Sequence, residues 1–234
     1  MKKTELIFLG PPASGKGTQT KKLSAELGLP HVDMGGMLRE AISNGTEAGL
    51  EAKKYMDEGK LVPLEIVKQI VVNRLVQSDC ANGFVLDGFP RSIEQAEVLN
   101  DILADLNSDL NKGVDVNLKV INIDLNQDVL VERIVNRRSC ADCGKIYNLK
   151  FSAPKAEGVC DDCGGQLIQR GDDTEEVASK RFATYFTSTE PLIKYYTDKG
   201  LLTNVNGDGS IDEVYVGIKK AISGGCGCGC GCKN

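Results

Sequence analysis

The segment GPPASGKG, residues 10–17, limits the possible folds of this chain more than any other stretch. A short apolar strand, residues 4–9, precedes it, and a stretch with helical spacing, residues 18–27, follows it. In this order the backbone N–H groups of the loop can wrap a phosphate at the helix N-terminus, while Lys16 neutralises the outer phosphates. A glycine-rich turn with an exposed lysine is the alternative interpretation. Because Gly17 replaces the usual Ser or Thr after the lysine, we expect phosphate oxygens and water to hold magnesium.

Strands and helices alternate along the rest of the chain. Further apolar strands are predicted at residues 84–87, 119–125 and 201–207, and helices from about residue 92 and at residues 128–137 and 210–222. Strands that alternate with helices predict an α/β fold with a parallel, doubly wound sheet. A chain of 234 residues fits one ordinary domain with insertions.

Composition and charge narrow the class of protein. The contents of 41% hydrophobic and 26% charged residues fit a soluble globular protein. The net charge of −5 disfavours nucleic acid as a bulk partner, because proteins that coat a duplex are usually basic. The N-terminal apolar run ends at Gly10, too early for a secretory signal, and no run approaches membrane-spanning length. We therefore expect a cytoplasmic protein with neither a membrane nor a nucleic-acid partner.

Two single residues bear on the chemistry. His31 is the only histidine in the sequence, which argues against histidine-based catalysis, and we interpret it as a solvated loop or strand-edge residue. Asp87 ends the predicted strand at residues 84–87, where a carboxylate beside the phosphates could orient magnesium-bound water. An Asp that merely begins a turn is the alternative, but the glycine loop in the same chain favours the magnesium role.

Four cysteines, Cys140, Cys143, Cys160 and Cys163, form two CxxC pairs with sixteen residues between the inner cysteines. This spacing suits tetrahedral zinc, and because four protein ligands leave no open position, the metal would be structural. Iron also suits four thiolates, and unligated buried thiols are the alternative. Three lysines and four acidic residues lie between Cys140 and Cys163, a poor surface for a phosphate backbone. A flap of about forty residues buries too little core to be rigid alone, so we expect the metal to hold it together.

The C-terminal segment, residues 224–234, is a low-complexity run of glycine and cysteine that we expect to be disordered. Its cysteines, Cys226, Cys228, Cys230 and Cys232, are close enough in sequence to capture Cu(I), Zn or Cd. A disordered chain end and a remnant of cloning are the alternatives.

Several longer motifs occur in order: GPPASGKGTQ, MGGMLRE, GKLVP, DGFPRSIEQA, RIVNRR, the four cysteines and QRGDDTEEVASKR. In order and spacing they resemble adenylate kinase of the bacterial type with a long, zinc-bearing lid, over about residues 3–222. The resemblance implies a three-layer P-loop fold, a parallel sheet flanked by helices, with an inserted zinc-bearing lid and a helical segment that binds the nucleoside monophosphate (NMP). The implied parts are a P-loop core of residues 1–32, 63–136 and 173–223, an NMP-binding segment of residues 33–62, a lid of residues 137–172 and the tail 224–234.

The resemblance also implies an activity and its participants. The activity would be reversible, Mg²⁺-dependent, in-line phosphoryl transfer, ATP + AMP to 2 ADP, in a closed site from which water is excluded. The expected cofactors are Mg²⁺, bound with ATP, and a structural Zn²⁺ in the lid. The expected partners are the small-molecule nucleotides ATP, AMP and ADP, and the expected oligomeric state is a monomer.

Site residues follow from the same resemblance. The implied ATP-binding residues are Gly10, Ala13, Ser14, Gly15, Lys16, Gly17, Thr18, Arg133, Arg137, Tyr147 and Gly209. The implied AMP-binding residues are Met34, Arg39, Lys60, Leu61, Val62, Gly88, Arg91, Gln95, Arg170 and Arg181. The implied catalytic cations around the transferred phosphoryl are Lys16, Arg91, Arg133, Arg137, Arg170 and Arg181. Among these, Arg39 and Arg91 would hold the AMP phosphate and Gln95 would contact the adenine edge.

These residue types suit the implied chemistry. Phosphoryl transfer needs positioning and charge neutralisation more than covalent help, and the attacking AMP oxygen is already anionic near neutral pH, so no general base is required. Arginine forks bind polyphosphates better than lysines do. Arg133 and Arg137 stand four apart, and on one helical face they would repel by about a few tenths of a kcal/mol unless an anion lies between them. A surface ion pair is the alternative for each arginine. Because water would hydrolyse an exposed phosphoryl, we expect residues 33–62 and the cysteine insertion to close over the site.

The chain departs from the usual family pattern at two places. The family usually has Ser-Thr-Gly-Asp where residues 33–36 read DMGG, so that Met34 takes the position where Thr normally lies near the AMP base. Ala13 stands where many relatives have Gly.

Other functions remain as alternatives. A UMP/CMP kinase is the nearest, because such relatives share DGFPR, although Gln95 and the long cysteine-bearing lid favour AMP. A GTPase switch is disfavoured by Gly17 and by the absence of an NKxD motif, and a zinc-ribbon nucleic-acid binder is disfavoured by charge.

Overall fold

The computed structural model describes residues 2–110, 115–126 and 130–223, and the elements below belong to this part of the chain. Its strands are β1 (Lys2–Leu9), β2 (His31–Asp33), β3 (Gly83–Asp87), β4 (Asp115–Asp124), β5 (Arg137–Cys140), β6 (Ile146–Asn148), β7 (Leu167–Ile168) and β8 (Leu202–Asn206). Its α-helices are α1 (Lys16–Leu27), α2 (Met34–Ser43), α3 (Glu47–Asp57), α4 (Leu64–Leu75), α5 (Ile93–Leu110), α6 (Leu130–Val135), α7 (Glu175–Thr184), α8 (Pro191–Asp198) and α9 (Ile211–Ile222). A π-helical turn, Tyr185–Thr189, joins α7 to α8. The tail of residues 224–234 lies outside the described residues.

The central sheet has five parallel strands in the order β2-β3-β1-β4-β8. Leu6 of β1 lies opposite Val85 of β3 on one side and Lys119 of β4 on the other. This order places β1 in the middle, so the glycine loop that follows it opens at the centre of the carboxyl edge of the sheet. The predicted parallel α/β sheet is confirmed.

Helices cover both faces of this sheet. Because side chains alternate along a strand, Leu6 and Phe8 of β1 pack with apolar residues of α1 and α9, whereas Ile7 and Leu9 pack with those of α4, α5 and α8. All four side chains are almost completely buried, and each such burial stabilises the fold by roughly 1.5–3 kcal/mol. The resulting three layers confirm the predicted fold class.

A second, antiparallel sheet, which we call the small sheet, has the order β6-β5-β7. In its register Arg137 lies opposite Asn148, and Ser139 lies opposite both Ile146 and Ile168. Its middle strand β5 ends at Cys140, the first of the four predicted metal ligands.

The predicted helix at residues 128–137 is wrong at its C-terminal end. Residue 128 is outside the described residues, and α6 ends at Val135. The amide Nδ2 of Asn136 donates to the carbonyl oxygen of Glu132 at 2.9 Å, and the Asn136 carbonyl accepts from the N–H of Leu149, so the chain leaves the helix there. Arg137 therefore begins β5 and does not share a helical face with Arg133.

The longest of the described α-helices, α5, has 18 residues. No helix within residues 2–110, 115–126 and 130–223 is long and apolar enough to cross a membrane.

Candidate active site

A cavity of about 740 Å³ lies between the carboxyl ends of β1, β2 and β3 and the small sheet. Leu9, Asp33 and Asp87 line it from the strand ends, and Ile146 and Tyr147 line it from the small sheet. Every residue predicted from the sequence to contact nucleotide or magnesium lines this cavity. The fold thus brings together positions from residue 10 to residue 209 around one space large enough for small-molecule ligands.

The glycine loop turns tightly between β1 and α1. A Cβ atom at Gly10, where φ is 138°, would lie 2.6 Å from the carbonyl oxygen of Ile123, so a larger residue does not fit. Ala13 also has a positive φ of 61°. This left-handed conformation costs a residue other than glycine about 1–2 kcal/mol, so the departure at Ala13 places local strain in the loop.

Lys16 lies at the N-terminus of α1 and folds back over the loop. Its Nζ donates to the carbonyl oxygens of Gly10 at 2.5 Å and Pro11 at 2.8 Å. Burial lowers the pKa of Lys16 to about 8, an effect that Asp87 opposes and Arg91 reinforces. A phosphate in the cavity would supply the negative charge that this buried ammonium lacks.

Asp87 at the end of β3 is buried and lines the cavity. Its Oδ2 accepts from the hydroxyl of Thr20 at 3.3 Å and lies 3.8 Å from Nε2 of His31. Burial alone would raise the pKa of the Asp87 carboxyl, but His31 and Lys16 hold it below its usual range. A Cβ at Gly17 would lie 3.5 Å from the same Oδ2, so the missing Ser or Thr side chain leaves room there. The prediction that His31 lies at a strand edge agrees with its place on β2. The prediction that it is solvated is wrong, because its side chain points towards Asp87, is only 21% exposed and has a buried Nε2.

Two carboxylates hold two of the predicted catalytic arginines. Asp173, which is fully buried, accepts from Nε of Arg137 at 2.8 Å, from Nη2 of Arg137, and from Nη1 of Arg181 at 3.3 Å. Asp172 accepts from the same Nη1 of Arg181 at 2.9 Å. Burial is the main cause that lowers the pKa of Arg181 to about 10, and the neighbouring Arg137 lowers it further. These pairs fix the directions of Arg137 and Arg181.

Arg170 and Arg133 have no such carboxylate partner among the described residues. Nε of Arg170 donates to the hydroxyl of Ser139 at 2.9 Å, and burial lowers the pKa of Arg170 to about 10. The guanidinium of Arg133 lies 5.5 Å from the ring centroid of Phe151. The Nε of Arg133 is buried without a hydrogen-bond partner in the described part of the chain.

Arg91 and Gln95 form a second part of the site. Nε of Arg91 donates to the carbonyl oxygen of Gly88 at 2.8 Å, and the backbone N–H of Arg91 donates to Oε1 of Gln95 at 2.7 Å. Burial lowers the pKa of Arg91 from its ordinary value. The nearby ammonium of Lys60 pairs with Glu58 at 2.7 Å, and its side chain is 65% exposed.

The sequence departure at residues 33–36 has a structural counterpart. Nη2 of Arg39 lies 3.5 Å from Oδ2 of Asp33. A Cβ at Gly36 would lie 2.7 Å from that same oxygen, so the carboxylate of Asp33 occupies the space into which a residue at position 36 would extend. Met34 is buried, and its Cβ would lie 3.7 Å from a Cβ at Gly88.

The four predicted metal ligands come together beside the small sheet. The Sγ atoms of Cys140 and Cys163 are 3.4 Å apart, those of Cys143 and Cys160 are 3.6 Å apart, and all four lie within 4.8 Å of one another. Tetrahedral zinc with Zn–S bonds of about 2.3 Å needs sulfur separations of about 3.8 Å, so the cluster could bind such a metal ion. Backbone N–H groups directed at Cys140 Sγ, that of Cys143 first, hold the pKa of this thiol below its usual value.

Tyr147 connects the cysteine cluster to the cavity. Its hydroxyl accepts from the N–H of Asp161 at 2.8 Å and lies 3.4 Å from Sγ of Cys160. The hydroxyl is therefore occupied at the cluster, although the residue lines the cavity.

Comparison with known proteins identifies the family. The adenylate kinase family model matches residues 8–201. The chain belongs to the adenylate kinase family. It is 50% identical over 210 residues to an adenylate kinase of Archaeoglobus fulgidus, an alignment that covers 90% of this chain and 94% of that protein. It is 49% identical over 217 residues to an adenylate kinase of Caldicellulosiruptor saccharolyticus, which covers 93% of this chain and 98% of that protein.

Adenylate kinases are nucleoside monophosphate kinases that catalyse ATP + AMP to 2 ADP and use Mg²⁺ with ATP. The predicted family, enzyme class and activity are thus confirmed for this chain. As an adenylate kinase it binds the nucleotides ATP, AMP and ADP.

Three residues that contact the site arginines of this adenylate kinase were not predicted from the sequence: Asp172, Asp173 and Ser139. Asp172 and Asp173 stand within the quoted motif QRGDDTEEVASKR, and the sequence signal was two adjacent acids between Arg170 and Arg181. Ser139 gave no comparable signal, because a serine beside two arginines is common in any surface segment.

Proposed function

We propose that this enzyme transfers the phosphoryl group between an ATP held by the glycine loop and an AMP held beside Arg39 and Arg91. The observation that carries the proposal is the convergence of Lys16 and six arginines on one cavity. The carboxylates of Asp87, Asp172 and Asp173 lie beside only some of these cations. Like charges gathered at one place are unfavourable unless an anion binds among them.

Each cation has a distinct place in the proposed transfer. Lys16 and the N–H groups of the glycine loop would hold the outer phosphates of ATP. Arg133 on α6 and Arg137 on the small sheet would reach the same phosphates, with Arg137 directed by Asp173. Arg91, Arg170 and Arg181 would surround the moving phosphoryl as charge shifts from the leaving oxygen to the attacking one. The AMP phosphate would attack directly, so that no side chain has to accept a proton.

Magnesium would be held largely by ATP itself. The residues fit this arrangement, because the buried carboxylate of Asp87 faces the loop and Gly17 offers no hydroxyl. Asp87 would accept hydrogen bonds from water molecules of the ion rather than bind it directly. When bound, the ion supplies charge neutralisation between the phosphates.

The AMP base would lie near Met34, Gln95 and the backbone at residues 60–62. Because Oε1 of Gln95 accepts from the backbone of Arg91, its NH₂ group is the donor that remains for a ring nitrogen of adenine. A coupled assay with AMP, CMP, UMP and GMP as acceptors for ATP tests this assignment. We expect AMP to have the highest kcat/KM by at least about 100-fold; equal turnover of CMP would reject the assigned base pocket, and no turnover with any acceptor would reject the proposed site.

We further propose that the chain is divided into a P-loop core of residues 1–32, 63–136 and 173–223, an NMP-binding segment of residues 33–62 and a lid of residues 137–172. Both smaller parts would close over the nucleotides and exclude water before transfer. Each smaller part touches the core through a hydrogen bond that could form as it closes. The hydroxyl of Thr184 on α7 donates to the carbonyl oxygen of Gly59 at 3.0 Å. The Nζ of Lys21 on α1 donates to the carbonyl oxygen of Cys143 at 3.1 Å.

The proposed role of the four-cysteine cluster is to hold a structural Zn²⁺ that keeps the lid in one piece. Beside it, the buried apolar part of the lid is small, since the local cluster comprises Cys140, Tyr147, Cys160 and Leu167. Zinc contributes on the order of 10–16 kcal/mol apparent in small peptides, more than such a core could supply. After verified chelation we expect the lid to melt before the core, read by calorimetry and by protease cleavage within residues 137–172. Unchanged melting and cleavage of metal-free protein would contradict a stabilising role.

We also propose that the enzyme acts as a monomer in the cytoplasm. The reducing cytosol would keep the thiols of a CxxC cluster available for metal. Light scattering coupled to size-exclusion chromatography tests the oligomeric state, and a mass near 50 kDa instead of 25.2 kDa would reject the monomer.

A further inference from the structure

Ser139 lies at the middle of the small sheet, on the strand that leads into the cysteine cluster. It is 7% exposed, and its neighbours across the sheet are Ile146 and Ile168. Because side chains alternate along a strand, Ser139 shares a face of β5 with Arg137, while Cys140 faces the other way. Neighbouring residues of β5 therefore point to opposite sides: Arg137 and Ser139 to one face and the metal-ligand candidate Cys140 to the other.

The hydroxyl of Ser139 holds Arg170, which follows β7 in the chain. Nε of Arg170 donates to Oγ of Ser139 at 2.9 Å, within the range of a normal hydrogen bond. This contact uses the Nε edge of the guanidinium and leaves its two Nη groups for other partners. Arg170 lines the cavity, so those Nη groups are available to an anion there.

The kind of acceptor distinguishes Arg170 from Arg137 and Arg181. Arg137 and Arg181 are held by carboxylates, whose negative charge partly neutralises theirs. Within the described part of the chain Arg170 has no ion pair, and its acceptor is a neutral hydroxyl. A neutral acceptor fixes the direction of a guanidinium without reducing the positive charge that it presents to phosphate.

Repulsion makes such an attachment necessary. Burial opposes the charged form of Arg170, and so do the positive charges of Arg137 and Arg39, while Asp173 and Asp172 partly compensate. Without a fixed contact the long side chain of Arg170 would turn away from Arg137 and Arg39 and would no longer point into the cavity.

We propose that Ser139 is a positioning residue for Arg170: its hydroxyl holds the Nε edge so that the Nη groups point to the phosphoryl that is transferred. This inference rests on the proposed function, in which Arg170 contacts that phosphoryl. Ser139, on β5 in the proposed lid, would thus affect the rate of transfer although it does not contact the nucleotide.

Three variants of one position test the inference. Ser139→Thr keeps the hydroxyl and suits a β-strand, whereas Ser139→Val has nearly the same shape as Thr and no hydroxyl. We expect kcat to fall by about tenfold in the Val variant, because a hydrogen bond to a charged group is lost, and to stay within about twofold of wild type in the Thr variant. The KM for ATP should change little in either, since the glycine loop is untouched. Ser139→Ala should lie between them, because a water molecule can replace the hydroxyl.

A variant of Arg170 separates this inference from the proposed function. Arg170→Ala should lower kcat strongly by itself, and Ser139→Val should add less than about twofold in that background, because its effect passes through Arg170. Full activity of Arg170→Ala would instead reject the proposed role of Arg170. Equal activity of the Val and Thr variants, or an undiminished Val effect in the Arg170→Ala background, would overturn the role of Ser139.

Melting temperature and bound metal per chain are measured for every variant, because Ser139 is adjacent to Cys140. If the Val variant loses metal, its defect belongs to the fold, and the Ala variant decides. A metal-loaded Ala variant with reduced kcat supports the inference, and one with wild-type kcat overturns it.

Discussion

Replacement of Asp173 by Asn tests how strongly the arginine cluster depends on its buried counter-charge. Asp173 is fully buried and accepts from two nitrogens of Arg137 and one of Arg181. Removal of one partner from a buried ion pair costs about 3–5 kcal/mol. Asn keeps one acceptor oxygen, and the side chains of Arg137 and Arg181 are 12% and 18% exposed, so we expect the lower end, about 3 kcal/mol. In a chain of this size that lowers the melting temperature by about 6–12 °C.

Differential scanning calorimetry of the nucleotide-free protein near pH 7 measures this shift. Asp198→Asn is the matched control, because Asp198 pairs with Lys194 at 2.8 Å on the surface, where its side chain is 61% exposed. We expect the control to melt within about 2 °C of wild type, since exposed pairs contribute little. If Asp173→Asn melts like the control, the buried carboxylate is not what holds the two arginines, and the electrostatic reasoning fails. A steady-state assay should show a fall in kcat for Asp173→Asn alone.

Two further predictions concern the glycine loop. The KM for ATP should rise as the pH increases through about 8, because the nucleotide-free Lys16 loses its proton there; an initial-rate series from pH 7 to 9 measures it, and a flat profile contradicts the assigned charge state. Ala13→Gly should raise the melting temperature by about 1–3 °C, because relief of a positive φ of 61° outweighs the added freedom of glycine in the unfolded chain; a lower melting temperature would show that Ala13 is not strained.

The parts of the fold that depend on local pattern could be predicted from the sequence. The strand, loop and helix around residues 10–17 follow from glycine spacing and from apolar periodicity on each side. The four cysteines likewise come together as their spacing indicates. In both places the residues that interact are close in sequence or form a recognised pattern, so that few alternatives remain.

The end of α6 could not be predicted in the same way. A spacing of four between Arg133 and Arg137 is compatible with a continuous helix, but the side chain of Asn136 bonds back to Glu132 and ends it. The three-residue strand β2 is too short for periodicity to reveal, and its position next to β3 brings His31 beside Asp87. Such contacts depend on which strands become neighbours, which sequence spacing does not specify.

The arginine cluster couples nucleotide binding to the stability of the fold. Burial lowers the pKa of Lys16 to about 8 and those of Arg170 and Arg181 to about 10, so the nucleotide-free site keeps its positive charge at a cost in free energy. Asp173 offsets part of that cost for Arg181 through a direct hydrogen bond. Arg170 donates instead to the neutral hydroxyl of Ser139, and the charges of Asp173 and Asp172 act on it without direct contact. A bound polyphosphate would relieve the remainder, and because it binds only the folded state it would stabilise the protein by RT ln(1 + c/Kd), where c is its free concentration. Arg170 has no ion pair in the described part of the chain, so its charge is available to the phosphates and the fold has only to fix its direction.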